Sequence, residues 1–374
     1  MSEIQAEPGP QLRSSRDLTQ LRDRLNGWFE RRFGPQPSPP VAHVSSPSSN
    51  GMSSETLLFD AAWREGGAAH AGALVARVEP EASDVPVFPV YDLESQYRVL
   101  RLVREHSDVP VPNVRWLETS RDVLGGLFFV MDRVDGRVPP DIMPYTMGSW
   151  LLEASPGDQR HLQDATVGVL SSLHSIPLAG LDVGFLEFDV PGATPLRRHV
   201  ENQRRYYEFV REGRRFPLIE KAFDWLEEHW PAEEGDAAIS WGDSRIGNVI
   251  YDGFDPAAVL DWEMAAIGPR EIDLAWMIFL HLFFQDITER IGMPGMPDFM
   301  RRRDVVGEYE RRTGYRPRDM DFYEVYAALR HAIVMSRVHA RSVHFDGAQW
   351  PDPPDEVIHH REVLLRMLEG EFRT

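Results

Sequence analysis

The chain has 374 residues, no cysteine, and 59 acidic against 40 basic side chains, for a formal net charge of −19. Without cysteine there are no disulfides or thiolate metal sites, which fits a reducing compartment, and the acidic balance argues against nucleic acid, whose binding rests on Lys and Arg at phosphates. No run approaches the roughly 20 apolar residues of a membrane span, and no apolar signal region follows the N-terminus, so the expectation is a cytoplasmic protein with no membrane partner.

In chain order, Ser14-Ser15-Arg16-Asp17 matches a capping box, and Leu18, Leu21, Leu25, Trp28, Phe29 and Phe33 recur at helical spacing. They predict an amphipathic helix ending near Gly34, followed by a Pro/Ser-rich link that closes a segment 1–40. Residues 41–44 and 56–59 read as two strands joined by a Ser-rich connection with one glycine, Gly51. A strand at 74–78 carries a single basic residue, Arg77. Asp92 is a good N-cap for a helix with Leu93, Tyr97, Leu100 and Val103 along its apolar face. Val109-Pro110-Val111-Pro112 precludes helix, and 126–131 is a buried strand entering Asp132-Arg133-Val134-Asp135-Gly136. From about 148 the pattern turns helical, with Leu162, Ala165, Val169, Leu173 and Ile176 on one face. Later helices fit 199–213, 217–230, 271–285, 298–313, 321–343 and 355–369. Strands first and helices after predict an α+β chain with segments 41–133 and 134–374.

The most informative window is 240–276. Asp243 and Asn248 stand as Asp-x4-Asn in a polar loop after a short apolar run at 237–240. Two β-prone runs follow, 249–251 and 257–260, separated by Asp252-Gly253-Phe254-Asp255-Pro256, and then a second acid, Asp261. A hairpin brings its ends together, so Asn248 and Asp261 are expected close in space. Phosphoryl transfer from ATP uses such parts: a carboxylate to orient the attacking hydroxyl, and two oxygens that hold Mg²⁺ at about 2.1 Å. The spacing alone is a weak signal, and a hairpin bearing surface acids accounts for it equally well.

The flanking residues add to it. Trp241-Gly242-Asp243-Ser244-Arg245-Ile246-Gly247-Asn248-Val249-Ile250, with Ala258-Val259-Leu260-Asp261-Trp262-Glu263-Met264-Ala265 and Asp273-Leu274-Ala275-Trp276, resembles the aminoglycoside phosphotransferase family. More narrowly, it resembles the branch found in actinobacteria and in domains linked to acyl-CoA dehydrogenases. The resemblance runs from about residue 41 to 290 and implies a protein-kinase-like fold: a small β-rich N-lobe with one helix, and a larger, mostly helical C-lobe. It implies ATP and Mg²⁺ as cofactors and transfer of the γ-phosphate to a hydroxyl of a small acceptor, an aminoglycoside or another hydroxylated metabolite. Asp243 would orient the acceptor hydroxyl, Arg245 would neutralise the γ-phosphate, and Asn248 and Asp261 would hold the metal, with Glu263 as a further candidate. Asp273 would be a structural acid that bonds the backbone of the Asp243 loop. On the N-lobe, Ser49, Gly51 and Ser53 would cover the phosphates, and Arg77 would take the place of the usual Lys. Glu94 is the carboxylate available to Arg77, although the aligned position falls on Gln96. Met131 and Arg133, entering the expected hinge, would offer backbone to the adenine. One departure is plain: Trp241 stands where the family usually has His, a residue that supports the loop.

Two other classes compete. Gly242-Asp243-Ser244 begins like a GDS-type serine hydrolase, but the nucleophile elbow needs glycine at 246, where Ile246 stands. The late Asp355…His359 pair is likewise one residue off the D-x-x-H spacing. A nucleotide-binding module with weak catalysis is the other alternative, motivated by the sparse glycine loop and the Gln96 position. His339 and His344 lack metal-ligand spacing, and no Walker A or G-x-G-x-x-G occurs. Aromatics on the predicted helices, among them Trp150, Trp276, His281 and Phe284, select no particular acceptor.

Overall fold

A computed structural model describes residues 17–47, 55–80 and 85–371. They divide into two compact units, one drawn from residues 1–98 and 112–133, the other from 99–111 and 134–374.

The first unit is a five-stranded antiparallel sheet covered by a helix. Its elements are α1 (Leu18–Phe33), β1 (Val41–Ser45), β2 (Glu55–Glu65), β3 (Ala68–Val78), β4 (Val114–Glu118) and β5 (Phe128–Asp132), with strand order β1-β2-β3-β5-β4. Strand β2 alternates as a half-buried strand must, turning Leu57, Phe59, Ala61 and Trp63 inward. Against that face α1 lays Leu21, Leu25, Trp28 and Phe29, and Trp116 and Phe128 complete an aromatic cluster. The N-cap differs from the expected capping box: it is Asp17 itself, whose carboxylate accepts from the N–H groups of Thr19 at 2.7 Å and Gln20 at 3.4 Å. Ser14 lies outside the described residues. Gly34 ends the helix, at φ 85° and with its N–H on the carbonyl of Glu30. Helix α2 (Leu93–His106) opens where Asp92 accepts from the Ser95 N–H at 2.8 Å, and its residues divide between the two units at Arg98.

The second unit is mostly helical: α3 (Pro156–His174), α4 (Pro195–Arg211), α5 (Pro217–Glu228), α6 (Glu271–Arg290), α7 (Arg302–Thr313), α8 (Met320–Asp346) and α9 (Arg361–Leu368). Helix α4 starts four residues before its expected boundary because Thr194 caps the Arg197 N–H at 3.2 Å and Pro195 occupies the first turn, where its missing N–H costs nothing. The expected 355–369 helix is a 3₁₀ turn at Pro354–Val357 followed by the shorter α9. Two small antiparallel ladders complete the unit: β6 (Ala237–Ser240) pairs with β9 (Ala266–Pro269), and β7 (Val249–Asp252) pairs with β8 (Asp255–Val259). Strand β9 carries no turn or alternation signal and was not expected. Helix α6 is buried almost all round, yet among the described residues no helix is long and apolar enough to cross a membrane. The β-rich first unit and the helical second unit make an α+β, kinase-like chain.

Candidate active site

The loop between β6 and β7 is fixed from below by one carboxylate. Asp273, in the first turn of α6, is wholly buried and accepts from the backbone N–H groups of Trp241 at 2.8 Å and Gly242 at 2.9 Å. It also accepts from Ser240 Oγ at 2.9 Å and from His174 Nε2 at 3.0 Å. Burial alone would push its pKa up, but these hydrogen bonds outweigh that and hold it below the usual carboxylate value. This is the backbone-bonding role expected of it. Gly242 is needed here: its φ is 87°, and a Cβ would stand 2.2 Å from the Met264 carbonyl oxygen. Trp241 ties the loop to the hairpin, its indole N–H donating to the Leu260 carbonyl at 2.8 Å.

On this base stands Asp243. Its Oδ2 accepts from Asn248 Nδ2 at 2.7 Å and its Oδ1 from the Trp276 indole N–H at 2.6 Å. Arg245 Nε reaches both carboxylate oxygens, at 3.0 and 3.2 Å, while its Nη1 pairs with Asp141. Burial would lower the pKa of Arg245, but the carboxylates of Asp141 and Asp243 raise it well above its ordinary value, so it is a permanent cation. Two acids thus share one guanidinium beside the Asp243 carboxylate. Next to it lies a small concavity walled by Met277, Leu280, Phe284 and Met300, with Asp141 and Arg245 as its charged groups.

The hairpin joins Asn248 and Asp261 as the sequence predicted. The Leu260 N–H donates to the Asn248 carbonyl at 2.8 Å, so Asp261 directly follows the residue bonded to Asn248. With Asn248 Nδ2 committed to Asp243, its amide oxygen remains as the group able to meet a cation. Asp261 sits at φ 60°, a left-handed conformation rare outside Gly, Asn and Asp and frequent at functional positions. Two hard oxygens on one hairpin suit Mg²⁺, which is bound by few protein oxygens together with water and substrate phosphate. Among the described residues no group of three or more His, Cys, Asp or Glu forms a metal cage.

The residues expected at the nucleotide belong to the first unit. Arg77 on β3 donates to Thr56 Oγ1 at 3.2 Å and lies in register with Phe129 of β5. Met131 is buried opposite Val75. Arg133 donates its N–H to the Ala73 carbonyl at 2.9 Å and pairs with Asp60 at 3.3 Å. On α2, Glu94 is exposed while Gln96 is buried. Ser49, Gly51 and Ser53 lie outside the described residues. Ser244, the nucleophile a hydrolase would need, is fully buried and donates its hydroxyl to the Asp273 carbonyl at 2.7 Å.

Sequence reasoning missed three residues that the geometry brings to Asp243. Asp141 carries no motif in Pro139-Pro140-Asp141. Arg330 looks like any cation on a long helix. Trp276 was visible as the last residue of the Asp273-Leu274-Ala275-Trp276 motif and as one aromatic among many, with no role at Asp243.

The arrangement is that of a kinase-like phosphotransferase. Sequence comparison agrees: the profile of the phosphotransferase enzyme family (APH) matches residues 60–315, and the chain belongs to that family. It is similar to the probable acyl-CoA dehydrogenase IBR3 of Arabidopsis thaliana, 27% identical over 265 residues, covering 67% of this chain and 31% of that protein. The chain therefore spans about a third of the length of the curated relatives it matches. Among solved structures it resembles a Ralstonia eutropha protein provisionally named an aminoglycoside phosphotransferase, at TM-score 0.64 and 22% identity over 93% of this chain and 97% of that one. It also resembles the streptomycin–ATP ternary complex of APH(2")-IIa, at TM-score 0.53 and 13% identity over 86% and 91%. At these identities the structural likeness speaks for the fold.

Proposed function

We propose that the protein transfers the γ-phosphate of ATP, in a Mg²⁺-dependent reaction, to a hydroxyl of a small acceptor. The observation that carries this reading is the joined set Asp243–Asn248–Leu260, a 2.7 Å side-chain bond and a 2.8 Å backbone bond that tie the Asp243 carboxylate to the base of the hairpin, where the side-chain oxygens of Asn248 and Asp261 are the candidate cation ligands. In this reading Asp243 holds the acceptor hydroxyl and receives its proton as the oxygen attacks the γ-phosphorus and ADP leaves. Asn248 and Asp261 would hold Mg²⁺, which when bound neutralises phosphate charge. Arg245, half-buried and permanently charged, meets the transferring phosphoryl group, with Asp141 taking the guanidinium back when the site is empty. Arg77, with Glu94 or Gln96 beside it, and the backbone of Met131 and Arg133 would bind the nucleotide, as would Ser49, Gly51 and Ser53. ATP bound to a structural relative supports the nucleotide.

The test is thermal stability with ATP alone, Mg²⁺ alone and both, on the wild type, Asp261→Ala and Asp243→Ala. Ligand at 100 times its Kd adds about 2.7 kcal/mol. Mg-ATP should stabilise the wild type and Asp243→Ala but not Asp261→Ala, while Asp243→Ala should lose about 10²–10⁴-fold in phosphoryl transfer. No response to any nucleotide would overturn the proposal, as would full turnover in Asp243→Ala.

A further inference from the structure

Two helices with no chemistry of their own send buried side chains to Asp243. Trp276 on α6 is 4% exposed and donates its indole N–H to Oδ1 of that residue at 2.6 Å. Arg330 on α8 is 3% exposed; its Nη2 donates to the Gly242 carbonyl at 2.9 Å, and its guanidinium lies 4.4 Å from the centre of the Trp276 ring. Its Nε and Nη1 are buried with no hydrogen-bond partner. A buried cation with two of three nitrogens unbonded is costly, so its retention calls for a physical return.

That return lies in what the guanidinium touches. A cation over an indole face draws on the ring's negative quadrupole and makes the ring N–H a stronger donor. The same guanidinium pins the carbonyl of the residue just before Asp243. Arg330 therefore reaches Asp243 by two routes, through the backbone and through the indole. The carboxylate, held at Oδ1 by Trp276 and at Oδ2 by Asn248, cannot turn about its terminal torsion, which is otherwise broad and soft.

We propose that Trp276 and Arg330 form one positioning unit that fixes the carboxylate plane of Asp243 for the attacking hydroxyl. The inference rests on the reading of Asp243 given above. The ordinary alternative is a core tryptophan whose N–H needs some buried acceptor, under a cation that only packs. The two differ in what they move: positioning changes turnover, whereas packing changes stability and nucleotide affinity alike.

The experiment uses the full chain with ¹⁵N-labelled tryptophan, the indole resonance being assigned by its loss in Trp276→Phe. A charge-assisted bond of this length places that resonance far downfield. It should move upfield in Asp243→Asn and in Arg330→Met, and return towards its place in Arg330→Lys. In parallel, ADP formation from Mg-ATP is followed with water as acceptor. The water oxygen attacks the γ-phosphorus, the bond to the bridging oxygen breaks, ADP leaves, and the water proton passes to Asp243 and then to solvent. Trp276→Phe and Arg330→Met should each lower kcat about 10–100-fold with KM for Mg-ATP changed less than about threefold, and Arg330→Lys should recover part of the loss. The double variant should be no worse than about the poorer single one, because the two act as a unit. Wild-type turnover in Trp276→Phe overturns the proposal. So does an Arg330→Lys variant as impaired as Arg330→Met in kcat, KM and melting temperature together. Where hydrolysis is too slow to read, the spectrum decides: an indole resonance unmoved in both Asp243→Asn and Arg330→Met sinks it. Asp243→Ala separates the two levels. If it keeps turnover, the reading of Asp243 fails; if it loses turnover while Trp276→Phe does not, only the positioning unit fails.

Discussion

The two units hold themselves together by different chemistry. In the first, α1 meets the sheet through Leu25, Trp28, Phe29, Trp63, Trp116 and Phe128, apolar groups whose attraction is non-directional and grows with contact area. In the second, the loop bearing Asp243 stands on Asp273, which takes four hydrogen bonds inside a buried chain running through His174 to Tyr309. Apolar clusters yield by degrees when a side chain changes shape, whereas a buried polar network is satisfied or costly. The fold thus confines its least tolerant packing to the segment where an ångström matters to chemistry, and builds the rest from adaptable parts.

The sharpest way to break that contrast is a pair of conservative substitutions. Asp273→Asn keeps the volume but turns an amide N–H₂ towards donors that need an acceptor, and should cost about 3–5 kcal/mol. Leu25→Met, equally buried, should cost less than about 1.5 kcal/mol. Denaturant midpoints read both. Equal losses would mean that the network is no more demanding than the aromatic cluster.

Acid should separate the units next. His199, His281 and His360 are buried in the second unit with pKa values lowered by desolvation to about 3, 4 and 4, and His331, packed on His360, is lowered too. Their hydrogen bonds suit the neutral ring: His199 Nε2 donates to the Ile267 carbonyl, and His360 Nε2 to that of Ala328. The folded values lie below the unfolded one near 6.5, so the unfolded chain binds more protons between those limits. Stability is whole above about pH 6.5 and falls as the pH drops towards 4, by about 1.4 kcal/mol per pH unit for each such histidine. Asp273, held low, adds its loss only at still lower pH. The first unit's described histidines, His43 and His70, are exposed. Hydrogen exchange at pH 5 should therefore rise in 237–346 well before it rises in 55–78. Equal onset in both would remove the histidines as the cause.

What the sequence revealed follows the same division. The hairpin from Val249 to Val259 was legible because two β-prone runs flank a turn-rich segment with Asp252-Gly253, and its ends bring Asn248 to Leu260 by local geometry alone. Helices α3, α5, α6 and α8 were legible through apolar spacing. Strand β9 was not, since four residues at Ala266–Pro269 carry no period and gain their pairing only from β6, far back in the chain. The contacts that Asp141, Trp276 and Arg330 make at the site were silent for a related reason. Each acts across more than thirty residues of chain, through one hydrogen bond or one stacked ring, and nothing beside it in sequence announces the partner.

The smallest expected effect tests the end of α1. Asp17 satisfies two N–H groups that the first turn of any helix leaves open, and its charge faces the positive end of the helix dipole. Asp17→Ala removes both contributions and should cost about 1 kcal/mol, whereas Asp17→Asn keeps a cap and should lose only about 0.3–1 kcal/mol. The difference should appear as faster amide exchange at Thr19 and Gln20, with little change at Trp28 and Phe29, which the aromatic cluster holds. Unchanged exchange at both ends would mean that α1 owes its first turn to the sheet beneath it, so that apolar contact alone fixes this unit from end to end.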